Sequence, residues 1–175
     1  MSNTWRSTRP VTGEFNPYFG TYIDKVPDGD IIETLTQQLP EITNFLLSIP
    51  ESKGGHRYAP GKWSIREIIG HLSDCERIFG YRALRFARSD TTPVPGFDEN
   101  EFVANGRFDE RTIPDLTSEL EYVRRSTIGL LGSLNDEELS RRGTSNNNEI
   151  SVRAVCFIIA GHVTHHAEIL KSRYL

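Results

Sequence analysis

The sequence predicts an all-α protein: a four-helix bundle with a long connection between helices two and three and an extended N-terminal arm. Three observations carry this prediction. Four segments repeat apolar residues at helical spacing, no segment alternates apolar and polar residues convincingly, and the intervening segments are rich in turn-forming residues. Four amphipathic helices of this kind bury their apolar stripes against one another, so a bundle is the expected architecture.

Composition and charge exclude several classes of protein. The chain has 175 residues, of which 37% are hydrophobic and 25% charged, as expected for one soluble domain with a sizeable core. The net charge of −4 and the absence of a Lys/Arg run argue against a nucleic-acid partner. No signal-like N-terminus or long apolar run predicts secretion or a membrane span. Cys75 and Cys156 lie in apolar helical patterns, which favours buried thiols and a cytoplasmic location.

Residues 1–28 are predicted to form the extended arm, and residues 29–175 the bundle domain. Proline and glycine recur in the arm at intervals too short for a long helix or strand. The arm also carries too many aromatic residues for a free tail, so it is expected to pack either on the helices or on a second subunit. The sequence leaves this choice open.

The first two predicted helices are defined by apolar spacing and by proline. The first runs from Asp30 to about Ile49, and Pro40 within it predicts a kink near residues 37–39 or two shorter helices. The second begins at Ser64-Ile-Arg-Glu67, a capping-box pattern, and extends to about Arg88.

A long connection over residues 89–112 follows the second helix. It is rich in proline and glycine, is interpreted as a loop, and can run the length of a bundle, so helices two and three could be parallel neighbours. The third helix is predicted to open at Pro114 and Asp115. A short turn at residues 136–139 follows it.

The last helix is predicted to begin after a polar loop at residues 141–150, which contains three consecutive asparagines. Ser151 caps this helix, which runs to about Leu170. Its apolar stripe includes two histidines, because at about 100° per residue His162 and His166 project on the same face as the aliphatic residues.

Histidines at this spacing can bind one divalent cation together. His162 and His166 lie one helical turn apart, so their imidazole nitrogens can reach a common ion. His71, oriented obliquely inward on the second helix, is the predicted third ligand. His165 is about 60° from the stripe centre and is expected at the surface or behind the ligands.

Other polar residues of the second helix have open interpretations. Asp74 lies on the same side as His71 and could hold a ring N–H or act on a metal-bound water, although capping or surface exposure is an equally good account. Cys75 is a weak candidate nucleophile because a buried thiol has a raised pKa. Trp63 and Phe97 are interpreted as packing residues. Four arginines could bind an anionic substrate, but a solvated face is favoured for them: Arg77, Arg82, Arg85 and Arg88. By helical angle Arg82 is the least exposed of the four.

Three stretches together resemble the DinB/YfiT-like family, a four-helix-bundle superfamily whose members are described as metal-dependent enzymes. The stretches are Trp63-Ser-Ile-Arg-Glu-Ile-Ile-Gly-His71-Leu-Ser-Asp74-Cys-Glu-Arg-Ile-Phe-Gly-Tyr-Arg82, Pro95-Gly-Phe-Asp98 and His162-Val-Thr-His-His166. The resemblance covers the chain from the first helix to the end and leaves the arm unmatched. It implies one divalent metal ion, zinc or nickel, bound by a histidine of helix two and two of helix four. The matching positions are His71, His162 and His166.

The resemblance also implies an activity and an assembly. Relatives in this family include thiol S-transferases that use bacillithiol or mycothiol, and homodimers are common among them. The expected partners of this chain are therefore a small-molecule substrate, a low-molecular-weight thiol and a second copy of the chain.

The ligand set permits three functions. Three neutral imidazoles leave a cation its full charge and an open position, as in catalytic sites. The ion could activate a thiol for attack on a small electrophile, or it could activate water to hydrolyse small amides or esters. The chain could alternatively be a non-catalytic metal-binding dimer scaffold. No glutamate directly follows His162, so the HExxH protease motif is absent, and without another evident proton shuttle thiol transfer is slightly favoured.

Overall fold

The structure is a computed structural model that describes residues 5–175. The first four residues of the predicted arm lie outside the described residues. None of the helices within the described range combines the length and hydropathy needed to cross a lipid bilayer. Between residues 5 and 175 the α-helices are α1 (Gly20–Ile23), α2 (Ile31–Leu47), α3 (Ile65–Ala87), α4 (Glu99–Asn105), α5 (Ile113–Gly132), α6 (Asp136–Ser140) and α7 (Val152–Ile169).

The four long helices α2, α3, α5 and α7 form the bundle, so the predicted fold class is confirmed. Both α2 and α3 pack against α5 and α7. Contacts between α3 and α5 advance in the same direction along both helices, because Phe108, just before α5, lies beside Gly70 and Thr127 lies beside Gly80. The two helices are therefore parallel neighbours, which the long connection between them makes possible.

Capping and proline positions explain the first two long helices. Asp30 caps α2, which continues without interruption through Pro40, so the alternative of two shorter helices is wrong. Pro40 and Thr36 are exposed, and the carbonyl that loses its helical donor can bond to water instead. The capping box of α3 is confirmed: Ser64 Oγ accepts from the Glu67 amide at 3.1 Å, and Glu67 Oε2 accepts from the Ser64 amide at 2.7 Å.

Two segments predicted as loops contain regular structure. Within residues 89–112, Asp98 caps the short helix α4. Within residues 141–150, strands β1 (Arg142–Ser145) and β2 (Asn148–Ser151) pair as an antiparallel hairpin, so the absence of strands was a wrong prediction. Each strand has only four residues, too few to show a clear alternation.

The hairpin also holds the connection that precedes α4. The two turn residues Asn146 and Asn147 have φ values of 48° and 61°, the left-handed region that asparagine tolerates in hairpin turns. Val94 donates to the Thr144 carbonyl at 2.9 Å and accepts from the Asn146 amide at 3.0 Å. Through these two bonds the segment after α3 is attached to the hairpin above the bundle.

The described part of the N-terminal arm packs on its own bundle, which answers the question that the sequence left open. Glu14 forms a buried ion pair with Arg153 of α7 and accepts from Ser151 Oγ at 2.8 Å. Helix α1 lies directly against α7. This close approach needs Gly161, because a Cβ atom there would lie 2.0 Å from the Tyr22 carbonyl oxygen. The domain boundary at residue 28 stays a prediction.

Gly161→Ala is expected to lower the free energy of unfolding by about 1–3 kcal/mol, because the new methyl group must push the Tyr22 backbone away from α7. Gly129→Ala is the matched control: Gly129 is an exposed residue of α5 with no atom within 4 Å of an added Cβ. This control should gain about 0.5–1 kcal/mol from helix propensity. Urea unfolding measures both changes, and equal effects of the two substitutions would contradict the proposed contact.

Candidate metal centre

Helices α3 and α7 bring His71, His162 and His166 together. Each of the three residues offers a ligand nitrogen, and these atoms lie within 4.8 Å of one another. The shortest separation joins His71 Nε2 to His162 Nε2 at 3.1 Å. All three side chains are buried. Residues that are about 90 positions apart in the sequence thus meet at one point because α3 packs on α7.

Burial keeps the three imidazoles neutral. It lowers the pKa of His71 to about 4. Burial also lowers the pKa values of His162 and His166 well below the usual histidine value, and the neighbouring histidines add to this effect. All three rings are therefore unprotonated at neutral pH, which is the form that binds metal ions.

The cluster fits a divalent cation. Tetrahedral zinc with Zn–N bonds of about 2.0–2.1 Å separates two ligand nitrogens by roughly 3.3 Å, close to the separation between His71 and His162. His166 Nδ1 is buried without a hydrogen-bond partner among the described residues. Buried polar atoms nearly always have a partner. An unpaired nitrogen in the cluster therefore favours a bound ion as the missing partner.

Aromatic side chains surround the histidines. The Trp63 ring packs at 4.6 Å from the His71 ring and stacks at 6.5 Å from the His166 ring. Trp63 is therefore a packing residue, as predicted, and it packs directly against the cluster. Tyr22 and Phe79 contact the His162 ring edge-on at 5.3 Å and 6.0 Å. These contacts limit the orientations of the imidazoles.

The histidines open onto a cavity of about 470 Å³. Its walls come from the arm, α3, the segment after α3, the hairpin and α7. Sequence reasoning missed the contributions of the arm and the hairpin. The sequence carries no local signal for the position of the arm, whereas the consecutive asparagines are a recognisable turn signal. The missed residues lining the cavity are Asn16, Tyr18, Phe19, Tyr22, Glu99, Ser145, Asn146, Asn148, Glu149 and Ile150.

Asp74 and His165 lie in different surroundings. Asp74 is half-buried, forms an ion pair with Arg77 at 3.5 Å, and is absent from the residues lining the cavity. Burial raises the pKa of Asp74, although Arg77 opposes this. Its catalytic role stays a prediction. His165 does line the cavity, with its ring 5.2 Å from the rings of both His166 and Tyr22.

Cys75 lies beside His71 and lines the same cavity. Its Sγ atom is 3.5 Å from Nδ1 of His71, one turn earlier on α3. Burial raises the pKa of this thiol to about 12, so it is protonated at neutral pH. A protonated thiol is a poor nucleophile, and Cys75 is better suited to holding the His71 ring in place.

The four arginines considered as substrate ligands divide into two groups. Arg77, Arg85 and Arg88 form ion pairs near the protein surface, as predicted for a solvated face. Arg82 is buried and lines the cavity, so the prediction of a solvated face is wrong for this residue. The segment 93–97, which folds over α3, covers it.

Fold and site together define a four-helix-bundle protein with a buried three-histidine cluster at the wall of a cavity. The sequence profile of the DinB superfamily matches residues 34–170, and the chain belongs to that superfamily. It is 31% identical over 144 residues to the Oceanobacillus iheyensis protein named "Putative metal-dependent hydrolase OB0413", covering 80% of this chain and 79% of that relative. The relatives and the three-histidine cluster indicate a metal ion at this site.

Two solved structures share the fold. YfiT from Bacillus subtilis, described as a probable metal-dependent hydrolase with an unusual four-helix bundle topology, superposes with a TM-score of 0.70 at 16% identity, over 94% of this chain and 93% of that one. The mycothiol-dependent maleylpyruvate isomerase superposes with a TM-score of 0.66 at 12% identity, over 79% of this chain and 58% of that one. At these identities the likenesses support the fold alone.

Proposed function

We propose that the protein is a metal-dependent thiol S-transferase in which His71, His162 and His166 hold one divalent ion, zinc or nickel. The substrates would be a low-molecular-weight thiol and a small electrophile. One observation carries the proposal: three buried, neutral imidazoles converge at the wall of a cavity of about 470 Å³. Three neutral ligands leave an ion its charge and an open position for a nucleophile.

The roles of the protein residues follow from their positions. A bound ion would supply Lewis acidity and would lower the pKa of a thiol or water at the open position. The three imidazoles would hold it, with the His71 ring supported by Cys75 and Trp63. The burial of the histidines among aromatic rings strengthens electrostatic interactions at the cluster.

The acidic residues of the cavity favour a thiol over water as the nucleophile. Within the described residues no carboxylate joins the three-histidine cluster, and the carboxylates that line the cavity, Glu99 and Glu149, are exposed. Activation of water benefits from a nearby proton acceptor, whereas a thiol can bind a cation as a thiolate. The mycothiol-dependent isomerase of similar fold adds support for thiol chemistry on this scaffold.

Hydrolysis of small amides or esters is the second candidate. Two similar proteins are described as metal-dependent hydrolases, and His165 lines the cavity beside His166. An imidazole in that position could accept a proton from water. The two candidates therefore differ in their need for an added thiol and for His165.

Turnover assays distinguish the two reactions. Purified protein is mixed with monochlorobimane or chlorodinitrobenzene and a panel of thiols that includes cysteine and mycothiol, and separately with nitrophenyl esters and anilides. We expect thiol-dependent conjugation that chelator abolishes, that His162→Ala removes and that His165→Ala retains. Thiol-independent hydrolysis that requires His165 would support the second candidate. The absence of turnover in both assays would favour a metal-binding scaffold and contradict an enzyme.

We also propose that the protein is a homodimer and is located in the cytoplasm, as the sequence predicts. Cys75 and Cys156 are both buried free thiols, as expected in a reducing compartment. Sedimentation equilibrium on purified protein measures the assembly, and a monomer at micromolar concentration would contradict the homodimer.

A further inference from the structure

Arg82 has an unusual environment for a buried arginine. Three arginines are less than one-tenth exposed: Arg124 at 1%, Arg153 at 4% and Arg82 at 6%. Arg124 is paired with Glu76, and Arg153 with Glu14. Arg82 has no carboxylate within 4 Å among residues 5–175.

The hydrogen-bond donors of the Arg82 guanidinium are only partly paired with protein acceptors. Nη2 donates to the Pro95 carbonyl at 3.2 Å, and Nε is buried without a hydrogen-bond partner among the described residues. The guanidinium carbon also lies 5.8 Å from the ring centres of both Phe79 and Phe97. Such cation–π contacts are weaker than the loss of hydration of a buried charge, so an anion would stabilise this site.

The unpaired guanidinium shares the cavity with the three histidines. Phe79 lies near both groups, because its ring centre is 5.8 Å from the guanidinium carbon of Arg82 and 6.0 Å from the centre of the His162 ring. The Phe79 side chain is therefore next to both the cation and the cluster. A small molecule bound to Arg82 would extend along this aromatic wall towards the histidines.

The charges around the cavity favour a single anionic group. Arg82 is the only lysine or arginine among the described residues that line it. The planar guanidinium matches the planar carboxylate, whereas a doubly charged phosphate usually takes several cationic or backbone donors. The two carboxylates of the lining, Glu99 and Glu149, are exposed to water, which screens their repulsion of an entering anion.

We propose that Arg82 binds a carboxylate of the electrophilic substrate, and that the substrates of this site are small organic carboxylates whose reacting atom lies away from the carboxylate group. The inference deepens the proposed function and rests on it for the identity of the reacting end. The binding of the carboxylate itself does not depend on a metal ion.

The test compares phenylacetate with phenylacetamide, which has nearly the same shape but no charge. Calorimetric titration of the purified protein should give about ten- to a hundredfold tighter binding of phenylacetate, the gain expected from hydrogen bonds to a charged group. Arg82→Gln should reduce this preference to near one. Arg88→Gln, which removes an exposed arginine at the C-terminal cap of the same helix, should leave the preference unchanged.

A second variant separates this proposal from the metal site. His166→Ala should lose bound metal and retain the preference for phenylacetate, because the two groups are held by different residues. A preference that disappears in His166→Ala but persists in Arg82→Gln would assign the carboxylate to the histidines and overturn the proposal. Absence of any preference in the wild-type protein would also overturn it, whatever the outcome of the turnover assays.

A spectroscopic measurement keeps the proposal testable if Arg82→Gln does not fold. The Nε–H resonance of Arg82 can be assigned in a nitrogen-15 spectrum by its disappearance in Arg82→Lys, which retains the charge. Phenylacetate should shift this resonance, and phenylacetamide should leave it in place. An Arg82 resonance whose chemical shift does not change at saturating phenylacetate would show that the guanidinium has only a structural role.

Discussion

His71→Ala is expected to lower the metal affinity of the protein by about a hundredfold or more. Loss of a residue that merely supports a ligand costs about ten- to a hundredfold in known metal sites, and loss of a ligand should cost at least as much. His71 is the only member of the cluster from α3, so its removal leaves two ligands on one helix. Elemental analysis after dialysis and a competition titration with a chromogenic chelator measure the change.

His165→Ala is the matched control, because His165 is on α7 and lines the same cavity but is outside the three-histidine cluster. Its metal affinity should change less than about tenfold, which is below the loss expected for a residue that supports a ligand. A His71→Ala protein with unchanged metal content would contradict the ligand assignment. In that case the 3.1 Å contact between His71 and His162 would be explained by a hydrogen bond between two neutral rings.

Glu76→Gln is expected to lower the free energy of unfolding by about 3–5 kcal/mol, because it leaves Arg124 as a buried charge without its partner. The Glu76 carboxylate accepts from Arg124 Nε at 2.7 Å and from Nη2 at 2.9 Å. Arg124 also donates to Gln38, which in turn donates to the Ala160 carbonyl of α7. This network joins all four long helices, so its loss should weaken the arrangement that brings the histidines together.

Two further variants test whether the buried pair of Glu76 and Arg124 causes this loss of stability. Glu121→Gln breaks an exposed pair with Arg125 on the same helix as Arg124, and it should change the free energy of unfolding by less than about 0.5 kcal/mol. The double variant Glu76→Leu, Arg124→Met should be more stable than Glu76→Gln, because it removes both charges together. Urea unfolding in excess chelator excludes a contribution from metal binding. A small loss in Glu76→Gln would contradict the importance of the buried pair.

Local sequence signals predicted the features that depend on neighbouring residues. The capping box at Ser64 depends on residues three positions apart. His162 and His166 lie on the same face of the helix because they are one helical turn apart. The same reasoning identified Arg82 as the least exposed arginine of α3 by angle. It did not predict the burial of Arg82, because that depends on the cover provided by residues 93–97.

The hairpin was missed for a related reason. Its strands are short, and its turn residues Asn146 and Asn147 were interpreted as a polar run although asparagine tolerates the left-handed conformation that such turns need. The bonds to Val94 that tie the hairpin to the preceding connection join residues about 50 positions apart. No periodicity within a single segment reports a contact of that kind.

From the sequence alone, hydrophobic spacing and capping predict the four long helices and the faces of the second and fourth that carry the clustered histidines, because these signals act within a few residues. The tertiary structure alone decided that the arm lies against α7 and that the arm and hairpin complete the cavity. It also decided that Arg82 is buried beside the cluster without a carboxylate. These features depend on contacts between segments far apart in the chain, such as Gly161 with Tyr22 and Glu14 with Arg153, and their free energies are realised only when the whole bundle packs.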